Sequence, residues 1–415
     1  MLLNYIKIAW KVLLRHPFYT FITLFGISLT LTVLIVMTSF VDHLIGSHYP
    51  EYKRDRMLYI QRVVRQDSAQ QGRNMGPVSF SFLTKYVKTL KTPERVGIAS
   101  AFGFANAYVR DRRISLQTKV TDADFWQVTD FEFLEGKPFN EQNIANGDHV
   151  AVITDDIKRQ YFDDPTQPVV GKNIEVDNVN YRIIGVLKGA PVTRLYTSAD
   201  IYFPYTIPKS NYKDSGFGGQ YIAFLLAHKE EDIPKIQAEF NDAVRRIPLP
   251  QVDNGFKVYH LEVSANNYLG SLLSTFPFLS GNDKGYFYLV LGLFMLLFMS
   301  LPAINLVNLN VSRIMERASE IGVRKAFGAP TLILMGQFII ENLFITAIGG
   351  AIALALSALV IYFINQSGWI AKADLTVNLP VFAISLLVSF VFGLLSGLVP
   401  ALRMSKLTIV EALKA

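Results

Sequence analysis

Apolar positions along this chain fall into two unlike patterns. Four long blocks, Phe18 to Val41, Gly285 to Ser312, Asn342 to Ala371 and Thr376 to Leu402, contain no Lys, Arg, Asp or Glu. Each meets the length of about 18 to 20 apolar residues that a membrane-crossing helix needs. The pattern predicts transmembrane helices over 18–42, 285–312, 331–364 and 377–402. Between them lie connections at 313–330 and 365–376, with tails at 1–17 and 403–415. Residues 43–284 form a separate domain inserted after the first helix, and there apolar and polar residues alternate on short periods. The predicted class is a membrane protein of four transmembrane α-helices plus a large α+β extracytoplasmic domain.

Within that domain Leu58, Ile60 and Val64 alternate as a half-buried strand, and Leu83, Tyr86, Val87 and Leu90 recur at helical spacing. Val150–Ile153 reads as a buried strand leading into a helix that ends near Phe162. Residues 173–186 read as a hairpin turning at Asp177-Asn178, where two turn-forming residues separate apolar runs. Tyr221–Leu226 is a strand, Ile233, Ile236, Phe240 and Val244 mark one face of a helix, and 257–263 supplies a last strand. The succession predicts a mixed domain with two subdomains.

Composition agrees: 51% of the 415 residues are hydrophobic and only 18% charged, which excludes a soluble enzyme. The net charge of +6 would suit a nucleic-acid binder if it were gathered on one hydrophilic surface. It is not. Residues 1–17, 312–330 and 403–415 together hold ten basic and three acidic residues, whereas 43–285 is nearly balanced, at 29 basic and 28 acidic. Three basic segments on one side of four crossings satisfy the positive-inside pattern. Both termini and the 313–330 loop are therefore expected in the cytoplasm, and 43–284 outside. The first block exceeds a signal peptide's apolar core and lacks a small-x-small exit, so it reads as a retained anchor. No cysteine is present, which removes disulfides and thiolate metal sites.

The blocks carry marks of helices that pack on helices. Gly393 and Gly397 form a GxxxG, Gly349 and Gly350 with Ala353 place small residues on one side of the third block, and Gly26 and Thr30 do so in the first. Pro302 removes a backbone donor inside the second block and is expected to act as a kink or hinge. Glu341 lies near the start of the third, close enough to the boundary to pair with Arg324 or Lys325.

Catalytic patterns are missing. The six histidines make no HxH or HExxH spacing, no GxSxG occurs, and Ser210 with Lys213 is an SxxK without companions. Asp122 and Asp124 are expected to cap a helix rather than hold a cation, and Asp163-Asp164 before Pro165 to form a turn. No GxxxxGK[ST] is present.

The loop after the second block is more informative. Ile314, Ala318 and Ile321 share a helical face, Glu320 and Arg324 stand four apart, and Gly328 with Pro330 is a stop signal. By physics alone, a docking helix and a solvated loop helix are equally open. The run Glu316-Arg317 through Glu320-Ile321-Gly322-Val323-Arg324-Lys325-Ala326-Phe327-Gly328-Ala329, however, resembles the loop signature of the MacB-like/FtsX-like ABC-transporter permeases. Gln337-Phe338 to Glu341, and Pro400 to Leu413, resemble the segments that follow it in that family. Leu407-Thr408-Ile409 stands where the family has a proline. Thr121–Trp126, Phe133–Phe139 and Val170–Lys172 with 181–187 are similar to its periplasmic core domain.

That resemblance implies a four-helix permease working as a dimer, with itself or a paralogue, beside cytoplasmic ATPase subunits. No cofactor is expected on this chain, since ATP and Mg would be bound by the partner ATPase. Only about 17 residues precede the first helix, where fused relatives carry an ATPase domain. The expected coupling residues are Glu316, Arg317, Glu320, Ile321, Gly322, Arg324, Lys325 and Gly328. Expected partners are the ATPase, a second permease copy, membrane lipid and, further out, a periplasmic adaptor or outer-membrane channel, with no nucleic acid. The implied place is the bacterial inner membrane. Two alternatives stay open: an FtsX-like regulator of a cell-wall hydrolase, and a membrane-anchored enzyme or sensor that needs no ATPase.

Overall fold

A computed structural model describes residues 10–67, 73–109, 112–249, 258–275, 285–300, 331–369 and 372–406, isolated positions within those ranges excepted, together with 323 and 327. Two compact units divide the chain: a helical one within 1–42, 286–369 and 374–415, and an outer one of 43–285 joined by 370–373. Helix α1 (Pro17–Ile45) is continuous over 29 residues; its last turn, from His43, belongs to the outer unit.

In the outer unit the alternating run at 58–64 is split. It makes β1 (Met57–Ile60) and β2 (Val63–Asp67), which enter different sheets. β2 pairs with β3 (Arg73–Gly76) and with β13 (Val258–Val263) in a small antiparallel sheet. The larger sheet gathers β1, β4 (Arg95–Ser100), β5 (Gly103–Val109), β6 (Arg112–Thr121), β7 (Phe133–Gly136), β8 (Val150–Thr154), β9 (Asn173–Val176), β10 (Val179–Leu187), β11 (Ile201–Pro204) and β12 (Tyr221–Leu226). Its order is β1-β12-β4-β6-β11-β8-β10-β9-β5, with β7 added to β10. Because β5 also pairs with β6, and reaches β9 through Ala107 opposite Val176, the strands from β6 round to β5 close into a ring.

Burial follows from this layout. β1 and β12 are buried along their whole lengths, which explains the unbroken apolar run Tyr221–Leu226: both faces are covered. One face packs on α2 (Phe80–Phe82, continuing as a π-helical turn to Val87) and later on α6, introduced below; Leu83, Val87, Ile236 and Phe240 meet Leu58, Ile98 and Leu225 there. The other face packs on α3 (Phe125–Val128) and α4 (Glu141–Ala145) through Phe125, Val128 and Ile144 against Tyr59, Val152 and Phe224. A third cluster joins the ring strands, with Ala107, Leu116, Ile153, Ile174, Ile183 and Phe203 fully or almost fully buried.

The remaining helices are α5 (Asp155–Tyr161), α6 (Ile233–Arg245) and α7 (Tyr268–Ser274). The expected strand-to-helix step at 150–162 is β8 followed by α5, with Thr154 Oγ1 accepting from Ile157 N as an N-cap. The expected hairpin is β9–β10. Asp177 and Asn178 have φ of 48° and 64°, the left-handed pair that lets a two-residue turn follow the strand twist.

In the helical unit α8 (Thr331–Ser367) and α9 (Leu379–Lys406) follow. Among the described residues, Thr20–Ile45 and Ile339–Ser367 are long and apolar enough to cross a membrane, and Gly285–Phe294 and Leu379–Val391 are shorter apolar helices. The connection between α8 and α9 is closed by Asn365: its Nδ2 donates to Leu375 O at 2.9 Å and its Oδ1 accepts from Leu375 N at 3.0 Å.

Candidate functional site

The expected coupling residues Glu316, Arg317, Glu320, Ile321, Gly322, Arg324, Lys325 and Gly328, and the expected hinge Pro302, lie outside the described residues. Two neighbours are described. Phe327 N donates to Val323 O at 3.1 Å, the four-residue reach of an α-helical turn, and the Phe327 ring is 88% exposed. Glu341 is buried within α8, about three turns from its start at Thr331, and its expected partners Arg324 and Lys325 are outside the described residues.

Gly349 and Gly350 lie on α8 against different helices. A Cβ on Gly349 would sit 2.7 Å from Ile27 Cγ2 of α1, and one on Gly350 would sit 2.6 Å from Leu386 Cδ1 of α9. Thr32 Oγ1, on α1, donates to Ala353 O at 3.3 Å. In lipid, where apolar surface gains nothing by leaving its solvent, such close approach is what holds helices together. Gly393 and Gly397 lie within α9; their surroundings are outside the described set.

The feature that sequence reasoning missed stands where α1 ends. A helix leaves its last four carbonyls without intrahelical donors, and here two arginines supply them. Arg54 Nη1 donates to the carbonyls of Leu44, Ile45 and Gly46 at 2.8, 3.0 and 3.1 Å. Arg194 donates to Gly46 O at 2.9 Å and to His43 O at 2.7 Å. Their positive charge also opposes the negative end of the helix dipole.

Both guanidinium groups are buried, as is Glu51, which is 0% exposed. Arg54 Nε and Nη2 meet Glu51 Oε2 at 2.8 and 2.7 Å. Glu51 also accepts from Tyr59 OH at 3.1 Å and from the Thr197 hydroxyl, and Arg54 Cζ lies 3.6 Å over the Tyr268 ring. A buried charge pair is costly unless its donors and acceptors are largely satisfied; this one is tied into β1, α7 and the 194–197 turn, with Arg54 Nη2 and Arg194 Nε lacking a hydrogen bond of good geometry among the described residues. Burial first, and the like charge of Arg54 second, bring Arg194 down to about 10. It stays a cation at physiological pH.

One local signal pointed here: Glu51 and Arg54 stand three apart within nine residues of the helix end. Arg194 gives no such signal, because the turn that carries it is brought in by tertiary folding.

The acidic motif resolves as a structural site. Asp122 Oδ1 accepts from Phe125 N at 2.9 Å, in the first turn of α3, and from Ile98 N at 3.0 Å, whereas Asp124, at the N-cap position, makes no side-chain cap hydrogen bond. Lys88 Nζ sits between Asp122 and Asp124, at 2.6 and 3.0 Å. Burial pushes the Asp122 carboxyl up to about 6 against the pull of Lys88. Among the described residues no group of His, Asp and Glu could hold a metal ion. Asp164 Oδ1 accepts from Thr166 N at 3.0 Å and forms a turn. Lys213 lies over the Tyr212 ring, while Ser210 is buried with a hydroxyl that makes no hydrogen bond of good geometry among the described residues, so the SxxK pair makes no nucleophile. Lys119 is buried, donating to Ser100 O at 2.9 Å and Ala101 O at 2.7 Å.

Residues 20–243 match the MacB-like periplasmic core domain, and 292–409 match the FtsX-like permease C-terminal domain. The chain is 24% identical over 340 residues to an uncharacterized ABC transporter permease, YknZ, of Bacillus subtilis, covering 80% of this chain and 79% of that one. It is 25% identical to the macrolide export ATP-binding/permease protein MacB of Salmonella paratyphi A, covering 72% of this chain and 43% of MacB. It is 24% identical to the pyoverdine export ATP-binding/permease protein PvdT of Pseudomonas savastanoi, covering 99% of this chain and 59% of PvdT. The chain thus spans about half the length of these two fused relatives. Among solved structures, the periplasmic region of MacB from Actinobacillus actinomycetemcomitans covers 53% of this chain at 12% identity with a TM-score of 0.36.

Proposed function

Because the chain belongs to the family of MacB-like and FtsX-like ABC-transporter permeases, we propose that it converts ATP hydrolysis by a separate cytoplasmic ATPase into movement of its outer domain. The work done is export or extraction of a peptide, antibiotic, lipid or lipoprotein. Relatives named for macrolide and pyoverdine export support that range of cargo. Four helices cross the inner membrane with both termini in the cytoplasm, and two permease copies assemble with the ATPase.

The observation that carries this reading is the clamp on α1. A helix that merely anchored a domain would need no more than a flexible exit. This one ends on a buried pair of arginines that hold four successive carbonyls, His43 to Gly46, so the last turn of α1 is fastened into the outer domain. The 313–330 loop is the motor's handle, with Glu316, Arg317, Glu320, Ile321, Gly322, Arg324, Lys325 and Gly328 as contacts and Pro302 as a flexible point above it. ATP and Mg belong to the partner.

The test is a double substitution, Glu320→Ala with Gly322→Leu. The expected result is loss of ATPase co-purification or of its stimulation, with the outer domain still folded. Unchanged association and stimulation would reject the loop assignment.

A further inference from the structure

We propose that the outer domain carries a binding site for an uncharged apolar molecule with a single hydrogen-bonding group, in a cavity of about 250 Å³ at the end of the strand ring where β6 and β11 finish. Recognition sites of this kind are concave, apolar and supplied with a few placed polar groups. The wall is mostly apolar: the rings of Tyr181 and Phe203 lie 4.4 Å apart centre to centre, and Val120, Val176 and Ile207 extend it, with Ser100, Thr118, Asp177, Ser210 and Gln220 between them. At the opening, Phe102 and Phe104 are 64% and 72% exposed. Two phenyl rings left in water beside an apolar hollow favour a ligand that covers them.

Ser210 is an independent observation. It is 5% exposed and lines the cavity, and its hydroxyl makes no hydrogen bond of good geometry, since the nearby Tyr221 hydroxyl gives its proton to the Ser210 carbonyl. The backbone beneath it is fixed, because its carbonyl accepts from Tyr221 OH and its N–H donates to Ile207 O at 3.2 Å. A buried hydroxyl held in place without a well-formed hydrogen bond is costly, and a ligand hydroxyl or carbonyl removes that cost.

Charge argues for neutrality. Asp177 lines the cavity and its Oδ1 accepts from Asn106 N at 2.9 Å. The Lys119 amine lies under Phe102, 5.6 Å from its ring, and donates to Ser100 O and Ala101 O. Each already has protein partners, so neither selects an ion. That the bound molecule is the exported one rests on the function proposed above; the existence of the site does not.

The chain has no cysteine, so Gln220→Cys, exposed at the rim, creates a single reporter thiol in the full chain in lipid nanodiscs. Saturating 4-phenylbutan-1-ol should slow maleimide labelling roughly fivefold, while 4-phenylbutylamine and 4-phenylbutyrate slow it less than about twofold. A control thiol at Asp242→Cys should be unaffected. Ser210→Ala should raise the half-protecting alcohol concentration roughly tenfold, and Phe104→Ala should raise it too. Unslowed labelling, or protection unchanged by Ser210→Ala and Phe104→Ala, overturns the site; equal protection by either ion overturns its neutral character. If the alcohol protects but leaves the ATPase rate of the assembled complex unchanged, the site stands and its link to cargo falls.

Discussion

The two units of this chain are held together by different means. The outer unit has three apolar clusters, each containing residues with no exposure at all, and it buries charges such as Glu51, Arg54 and Arg194 inside hydrogen-bond networks. The helical unit has one described cluster, Leu13, Ile27, Leu31, Ile345 and Ala353, and depends on glycines that admit Ile27 and Leu386. In water, burying apolar surface pays for folding and can carry a few buried charges. In lipid that gain vanishes, and fit alone remains.

The largest effect is expected from the outer unit's buried charge. Arg54→Leu leaves Glu51 buried without its cation and should cost about 3–5 kcal/mol, read as a lower unfolding temperature of the outer domain by near-ultraviolet circular dichroism of the full chain. Arg54→Lys should recover only part of it, since one ammonium cannot span three carbonyls and a carboxylate. A loss under about 1 kcal/mol would mean that the network is solvated and the contrast between the units is overstated.

Lys119 gives a pH test. Burial pulls its amine from 10.5 down to about 7 in the fold, so its contribution is complete above 10.5 and is lost as pH falls through 7. The outer domain should therefore weaken between pH 10 and pH 7, by on the order of a few kcal/mol, and Lys119→Met should flatten that slope. Denaturant midpoints of both proteins across this range decide it; parallel curves would remove Lys119 as the cause.

Gly349→Leu should cost about 1–3 kcal/mol by overpacking against Ile27, read as easier loss of helix packing in sodium dodecyl sulfate, with the outer domain's transition unmoved. A matching drop in the outer domain would show that the two units do not respond separately. The smallest change is Asn178→Ala. It puts a β-carbon without a polar side chain at φ 64° and should cost about 1 kcal/mol, measured as faster amide exchange in the β9–β10 hairpin.

Much of the architecture was legible because it is written in local pattern. The apolar blocks mark α1, α8 and α9; the pair Asp177-Asn178 marks a turn; and Ile236 and Phe240, spaced one helical turn apart, are the buried face of α6. Other features needed the third dimension. The run at 58–64 reads as one strand, yet β1 and β2 diverge, since a bend between strands leaves no mark on alternation. β6 alternates weakly, with charged residues at its exposed start and buried ones at its end, because its two ends lie in different surroundings. The loop signature was readable only by resemblance. The clamp was not readable at all at Arg194, which meets its carbonyls 148 and 151 residues away in sequence.

The clamp has a bearing on how such chains can be recombined. Arg54 and Arg194 grip main-chain oxygens of His43, Leu44, Ile45 and Gly46, groups that every residue type carries. A hybrid taking its first membrane segment from a relative and joined at Asp42 would thus present the same oxygens to the same two arginines. The outer domain is in that sense a portable head, fitted to a helix end instead of to a particular helix.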